Sequence, residues 1–332
     1  MCSRPAHLIR VSRPALGSSF EIYLGGDDAG HLKQTGYAAL ELVQELERQL
    51  SHFEPDSVLC QINRQAYTQP VVLPPLILEL LLCLRHWSAL TDGAFDPTAG
   101  RLVRLWGFFR QGRVQGNPVP APDPDAIATI TRQIGWQHVV LDEVESTIRF
   151  LTPCIELHLG AVGKGWIVQR AADFLRDHEI TCALVHSGQS SIVALGHPPD
   201  MEGWPVGITH PLQEERLLAK VLLADAALST SGTTEHFVTI GEKRISHIFD
   251  PRTGTPVPGF AQISVLSRDA AEGDALSTAF SVQGEEWTRQ FCQRRPDLGV
   301  VLLPDPALDL APGALHCFGN IRGAGTRVIP IE

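Results

Sequence analysis

Strand-like and helix-like segments are mixed along this chain without regular alternation, and that order constrains its fold more than any other feature. A doubly wound parallel sheet needs a helix after nearly every strand. Here a strand pair fills His7 to Leu24. A helix follows, with Ala39, Leu42, Val43, Leu46 and Leu50 at helical spacing. A second helix starts after Pro74-Pro75, is apolar on almost every side, and stops at Asp92-Gly93. Asp125 to Ile134 reads as another helix, and His138 to Leu141 with Thr147 to Leu151 as a hairpin. Later strands are expected at Cys182 to His186, Ile192 to Leu195, Gly203 to His210, Leu217 to Leu223, Ala261 to Ser267 and Val300 to Leu303. A helix is expected to begin near Asp274. The order predicts an α+β (mixed α/β) fold. The 332 residues are expected to form one domain, 1–332, with the Pro-rich segment at 116–124 as an internal loop.

Composition narrows the function classes. The formal net charge of -10 argues against a nucleic-acid partner and offers no basic face to an anionic membrane. The seven cysteines are odd in number and form no CxxC pair, so they read as reduced, small core residues. The N-terminal MCSRPAHLIRV shows no apolar leader region, and no run is long enough to span a bilayer. The expected location is cytoplasmic.

The stretch from Ala226 to Gly284 carries the densest chemistry. It contains Thr230-Ser231-Gly232, then His247-Ile248-Phe249-Asp250-Pro251, then Asp274 with Thr278 one helical turn on. Asp274, Ser277 and Thr278 offer three oxygens to a hard cation such as Mg²⁺, or Asp274 is simply a first-turn carboxylate at a helix start. Gly160 to Gly165, between a strand and a helix, is either a cradle for a phosphate or a tight turn; it is neither a Walker A loop nor GxGxxG. His247 is a general base or a structural histidine, and His158 faces either a ligand or the core. Asp96 and Asp250, each before a proline, read most simply as turn residues.

The order of these pieces is more telling than any one of them. SHFEPDSVLCQIN, GAFDPTAGRLVRLWGF, LGAVGKGW, TSG, HIFDPRTG and DALSTA together resemble the ApbE family of FAD:protein FMN transferases, along most of the chain. The resemblance implies a T-fold-like, two-lobed architecture with the FAD site in a cleft between lobes. It implies an enzyme that splits FAD, moves FMN to a Ser or Thr hydroxyl of an acceptor flavoprotein and releases AMP, with Mg²⁺ required. An FAD pyrophosphatase and a non-catalytic FAD-binding protein are the competing readings. By the same resemblance Asp274, Thr278, Ser277 and the Ala161 carbonyl are metal contacts, and His247 is the base. Leu16, Phe53, Ala94, Phe95, Asp96, His158, Lys164 and Ile248 are FAD contacts. Relatives are often exported, so a periplasmic or lipid-anchored location through Cys2 is the second expectation, with membrane contact only through partners or such an anchor.

Four positions depart from the family pattern, one of them the conservative Leu16 in place of a common Met. His158 stands where an Asp is usual, which replaces an acceptor with a possible donor. Gln169 also replaces a common Asp. Gln189 replaces the second Gly of a Gly-Gly pair and is expected to strain that turn if the position needs a positive φ.

Overall fold

The computed structural model describes residues 7–108, 119–233, 237–241, 243–257, 260–304, 315–321 and 326–331. Cys2 and residues 116–118 of the Pro-rich segment lie outside them.

Two strands, β1 (His7–Ala15) and β2 (Ser18–Gly26), form a hairpin through Leu16 and Gly17, both left-handed at φ 55° and 71°. Helix α1 (Ala29–Leu50) follows, capped by Asp28, whose carboxylate accepts the His31 N–H at 3.0 Å. Helix α2 (Pro75–Leu90) ends where Asp92 and Gly93 take positive φ, as the Asp-Gly pair suggested. It buries Ile77, Leu80, Leu81, Leu84 and Trp87. Then come α3 (Gly163–Asp177), β3 (Ala183–Ser187), β4 (Ser191–Leu195), β5 (Ala226–Gly232), β6 (Gln262–Ser267), α4 (Ala270–Gln283), β7 (Gly299–Leu303) and β8 (His316–Gly319).

The eight strands lie side by side in chain order, and every neighbouring pair is antiparallel. The fold is therefore α+β, as the irregular order of elements predicted. Long excursions between β2 and β3, and between β5 and β6, bring the cleft-forming segments back over the sheet.

Period-two alternation gives the sheet two buried faces. Val193, Leu195 and Ala227 pack with the helices, while Ile192, Ala194 and Leu228 pack under a smaller sheet of Trp204–His210, Gln213–Leu223 and Thr326–Pro330. Both faces are covered, so β4 and β7 are buried at every residue.

Helix α4 starts four residues before the position expected. Its cap is Asp269, whose carboxylate accepts the N–H groups of Ala271 at 2.8 Å and Glu272 at 2.9 Å. Asp274 therefore sits in the second turn and is not a cap. At Gly273 a Cβ would meet Ser229 Oγ at 2.7 Å, so glycine lets α4 lie close on β5. The hairpin of Phe237–Ile240 and Lys243–Ser246, the helix Glu285–Arg294 and strand β8 were not foreseen from the sequence. Among the described cysteines all are free; Cys292 is buried and the others are half-buried. Among the described residues no helix is long and apolar enough to cross a membrane.

Candidate active site

A cleft of about 490 Å³ opens between the start of α3, the end of β5, α4 and two loops returned by the long excursions. It gathers Phe53, Ala94, Phe95, Asp96, His158, Ala161, Lys164, His247, Ile248, Asp274 and Thr278. These positions are spread over more than two hundred residues of chain, and all were singled out from the sequence. Leu16 and Ser277 do not line the cleft. Leu16 sits at the β1–β2 turn, where its N–H donates to Glu47 Oε1 at 2.6 Å. Ser277 is buried on the side of α4 that meets β5. Its hydroxyl pairs with Ser231 Oγ at 2.6 Å and donates to the Asp274 carbonyl at 2.9 Å.

Asp274 is the best-held polar group in the cleft. Only 7% of it is exposed. The Gly165 N–H donates to its Oδ2 at 2.7 Å, and Ser191 Oγ donates to both carboxylate oxygens at 3.1 Å. Burial pushes its pKa up to about 6, against the opposing pull of Lys164, the Gly165 N–H and the serine hydroxyls. The N-terminus of α3 therefore already faces an anion supplied by the chain itself. No side chain caps α3; Asp274, from another helix, supplies the carboxylate instead. Ser191 was not foreseen, because a lone serine at the start of a strand carries no sequence signal. Gln169, where the family usually has Asp, accepts the Ala270 N–H at 3.0 Å and ties α3 to the start of α4.

The second wall is built by a short zipper. Gly100 donates its N–H to Glu156 O at 2.8 Å, and His158 donates its N–H to Pro97 O at 2.7 Å. This fixes the loop Ala94–Asp96 against His158. Thr91 Oγ1 accepts the Phe95 N–H at 3.3 Å, and Asp96 Oδ1 accepts the Thr98 N–H at 2.9 Å, so the loop is turn-like as expected. Desolvation raises the Asp96 pKa to about 6. His158 Nδ1 accepts the Gly160 N–H at 3.3 Å, which places its proton on Nε2. Burial, then the nearby His52, lowers its pKa to about 3. His158 is thus a neutral group whose Nε2 carries the donor hydrogen. Glu156 behind it takes Arg104 through Nε at 3.3 Å and Nη2 at 2.6 Å, and meets His52 Nε2 at 3.2 Å. Desolvation alone would raise the Glu156 pKa, but His52 and Arg104 outweigh it and hold the group at about 2.

The third wall is aromatic. Phe108 lies edge-on to His247 at 6.5 Å and to Phe249 at 5.7 Å between ring centroids. Trp106 donates its indole N–H to Gly254 O at 2.9 Å, joining the GAFDPTAGRLVRLWGF and HIFDPRTG segments. Asp250 is structural: it pairs with Arg252 through Nε at 2.8 Å and Nη2 at 2.9 Å. Phe53, 60% exposed, stands at the rim. Gln189 does not strain its turn, because Gly188 alone takes the positive φ, at 58°. Phe108, Phe237 and Phe249 line the cleft unforeseen, since aromatic residues at core spacing read the same whether they pack or bind.

A model of the ApbE family matches residues 16–302. The chain belongs to the ApbE family. The FAD:protein FMN transferase of Vibrio cholerae is 28% identical over 288 residues, covering 86% of this chain and 84% of that protein. That of Treponema pallidum is 30% identical over 299 residues, covering 83% and 80%. Among solved structures, the ApbE protein of Thermotoga maritima superposes with a TM-score of 0.79 at 26% identity, covering 90% of this chain and 94% of that one. The shared ApbE architecture accounts for the joint placement of the sequence motifs around one cleft.

Two outcomes test this geometry. A Cβ at Gly165 would lie 2.3 Å from Ala270 O and 2.6 Å from Asp274 Oδ2, whereas one at Gly163 meets only Leu159 Cβ at 3.6 Å. Gly165→Ala should cost about 2 kcal/mol or more in urea unfolding, and Gly163→Ala far less; equal costs would contradict the contact. The second concerns Glu156, whose folded pKa of about 2 lies below the ordinary 4.5. Its ion pair stabilises fully above pH ~4.5 and is lost as pH falls towards 2, an effect of about 3 kcal/mol. Glu156→Gln should flatten that stretch of the stability–pH curve, and an unchanged slope would refute the assignment.

Proposed function

We propose that this ApbE family member transfers FMN from FAD to a Ser or Thr hydroxyl of an acceptor flavoprotein, forming a phosphoester and releasing AMP, with Mg²⁺ bound at Asp274. The observation that carries the reading is Asp274 itself: a buried carboxylate held at the start of α3, with Thr278 and Ala161 lining the same cleft. Curated relatives that match most of the chain bear the name FAD:protein FMN transferase.

The donors suit the ion. Among the described residues no three His, Cys, Asp or Glu side chains cluster as a metal cage. Asp274 instead offers a carboxylate to this set, with the Thr278 hydroxyl and the Ala161 carbonyl, while the second cleft carboxylate, Asp96, is turned to the Thr98 N–H. Mg²⁺ takes such a hard, incomplete set of oxygens and fills the rest of its shell with water and substrate phosphates. When bound, it would offset charge on the pyrophosphate. Ser277 supports this set through Ser231 and the α4 backbone without reaching the cleft.

The chain's own residues supply the rest. Lys164 gives a positive charge beside Asp274 for a phosphate oxygen. Ala94, Phe95, Asp96, Ile248 and Phe53 bound a largely apolar slot that suits the ring systems of FAD, and His158 Nε2–H offers a donor there. Leu16 is left outside this contact set. His247 lines the same cleft as Asp274 and, in this reading, takes the proton of the acceptor hydroxyl. The acceptor oxygen–phosphorus bond forms, the pyrophosphate bond breaks, and AMP leaves. Residues 1–332 act as one unit in this scheme, because the cleft draws on segments from Phe53 to Thr278.

Incubation with FAD, Mg²⁺ and an acceptor flavoprotein should give a covalently fluorescent protein band and AMP in equal amounts. Asp274→Ala should lower turnover about a thousandfold or more. AMP without covalent flavin would establish a pyrophosphatase instead. Stoichiometric FAD binding without AMP, unaffected by Asp274→Ala, would establish a binding protein. Because the Asp274 pKa lies near 6, proton competition should weaken the apparent Mg²⁺ affinity as pH falls through that value. A pH-independent Mg²⁺ requirement between 5 and 8, measured by titration with about one pH unit between steps, would reject Asp274 as the ligand.

A further inference from the structure

Among the described residues, the end of β5 leaves a short strand edge open to the cleft. Successive residues of a strand send their N–H and C=O groups to opposite neighbours. Thr230 donates its N–H to Ser190 O at 2.7 Å, on the β4 side, and Thr233 donates to Ala261 O at 3.3 Å, on the β6 side. Gly232 shares the parity of Thr230, so its N–H and C=O point to the β4 side. However, β4 pairs only with Ala226 to Ser229, and the chain before it turns back through Gly188 to Ser190 to join β3. Among the described residues no backbone group meets Gly232 on that side. Gly232 lines the cleft together with Ser190, Thr230 and Ser231.

Side chains along β5 alternate in the same way. Ser229 and Ser231 face α4, where their hydroxyls reach Ala270 O at 2.8 Å and Ser277 Oγ at 2.6 Å. A strand laid along the open edge would turn every second side chain to that same face. That is the face on which Asp274 and Thr278 line the cleft.

We propose that the acceptor protein docks as an extended segment added to β5 at Gly232, which delivers its Ser or Thr hydroxyl towards the Asp274 side of the cleft. This rests on the transferase reading. The Gly232 N–H and C=O present a donor and an acceptor in the pattern of strand addition. Of the two substrates, only the polypeptide carries a repeating backbone that matches it. The dinucleotide has its complement elsewhere, at Lys164, His158 and the apolar slot. An unpaired edge is normally a liability for a folded protein; here it lies inside the cleft, where an incoming chain must arrive in any case. Gly232 has no side chain to block that approach.

The test uses the intact enzyme with FAD, Mg²⁺ and a library of short peptides carrying one central Ser or Thr. Backbone recognition tolerates sequence, so flavinylated peptides are expected and are read by mass spectrometry, with AMP measured in parallel. The best acceptor is then resynthesised with a single N-methyl group at each backbone nitrogen in turn. The one nitrogen that donates to the Gly232 carbonyl should lose about tenfold or more in flavinylation rate when methylated, with the nitrogens on either side of it tolerant. Uniform tolerance of N-methylation overturns the proposal, as does AMP release with no peptide accepted. Absence of AMP release in every reaction refutes the transferase reading and the docking inference with it.

Discussion

The cleft depends on one contact, the Asp274 carboxylate on the N–H of Gly165. It joins the second turn of α4 to the first turn of α3 across the helix layer. A buried carboxylate left without partners costs several kcal/mol, and here the helix dipole, the Gly165 N–H and Ser191 together offset that cost. The geometry requires glycine at 165, because any side chain would occupy the space of Asp274 and of the Ala270 carbonyl. It requires a close seat for α4 on β5 as well, which Gly273 provides. Fold and site are therefore set by the same few atoms. The carboxylate that closes the packing of two helices is also the one that faces the cleft.

The opposite wall works by different physics. Glu156, Arg104 and His52 form a charged network behind the Pro97–Gly100 and Glu156–His158 zipper. The network fixes the backbone that carries His158, while burial keeps the imidazole itself neutral. An aspartate at position 158 would offer acceptors only; the histidine offers a donor. On the proposed reading, the chain thus changes the hydrogen-bond character of the wall that His158 builds.

Much of this was legible in the sequence, and the reasons are specific. The mixed order of strands and helices gave the α+β class, because an antiparallel sheet needs no helix between neighbouring strands. The Gly-Lys-Gly turn, the two Asp-Pro segments and the Asp274–Thr278 pair mark backbone and side-chain requirements that survive without tertiary context. What could not be read was contact across the chain. Ser191 reaches Asp274 only because β4 lies beside β5 and under α4. The start of α4 was misplaced because Asp274 and Asp269 both look like caps, and only the fold shows that Asp269 holds the first-turn N–H groups. Leu16 stands where the family commonly has Met and Ser277 matches the family pattern, yet one serves the β1–β2 turn and the other the α4–β5 packing.

The central claim is that Asp274 and Thr278 hold the ion that meets the FAD pyrophosphate. A crystal structure of this chain with FAD and Mg²⁺ tests it most directly. The account predicts an ion bound at about 2.1 Å to a carboxylate oxygen of Asp274 and to Thr278 Oγ1, and shared with phosphate oxygens. An ion held elsewhere in the cleft, or FAD bound with its pyrophosphate away from the start of α3, would contradict it.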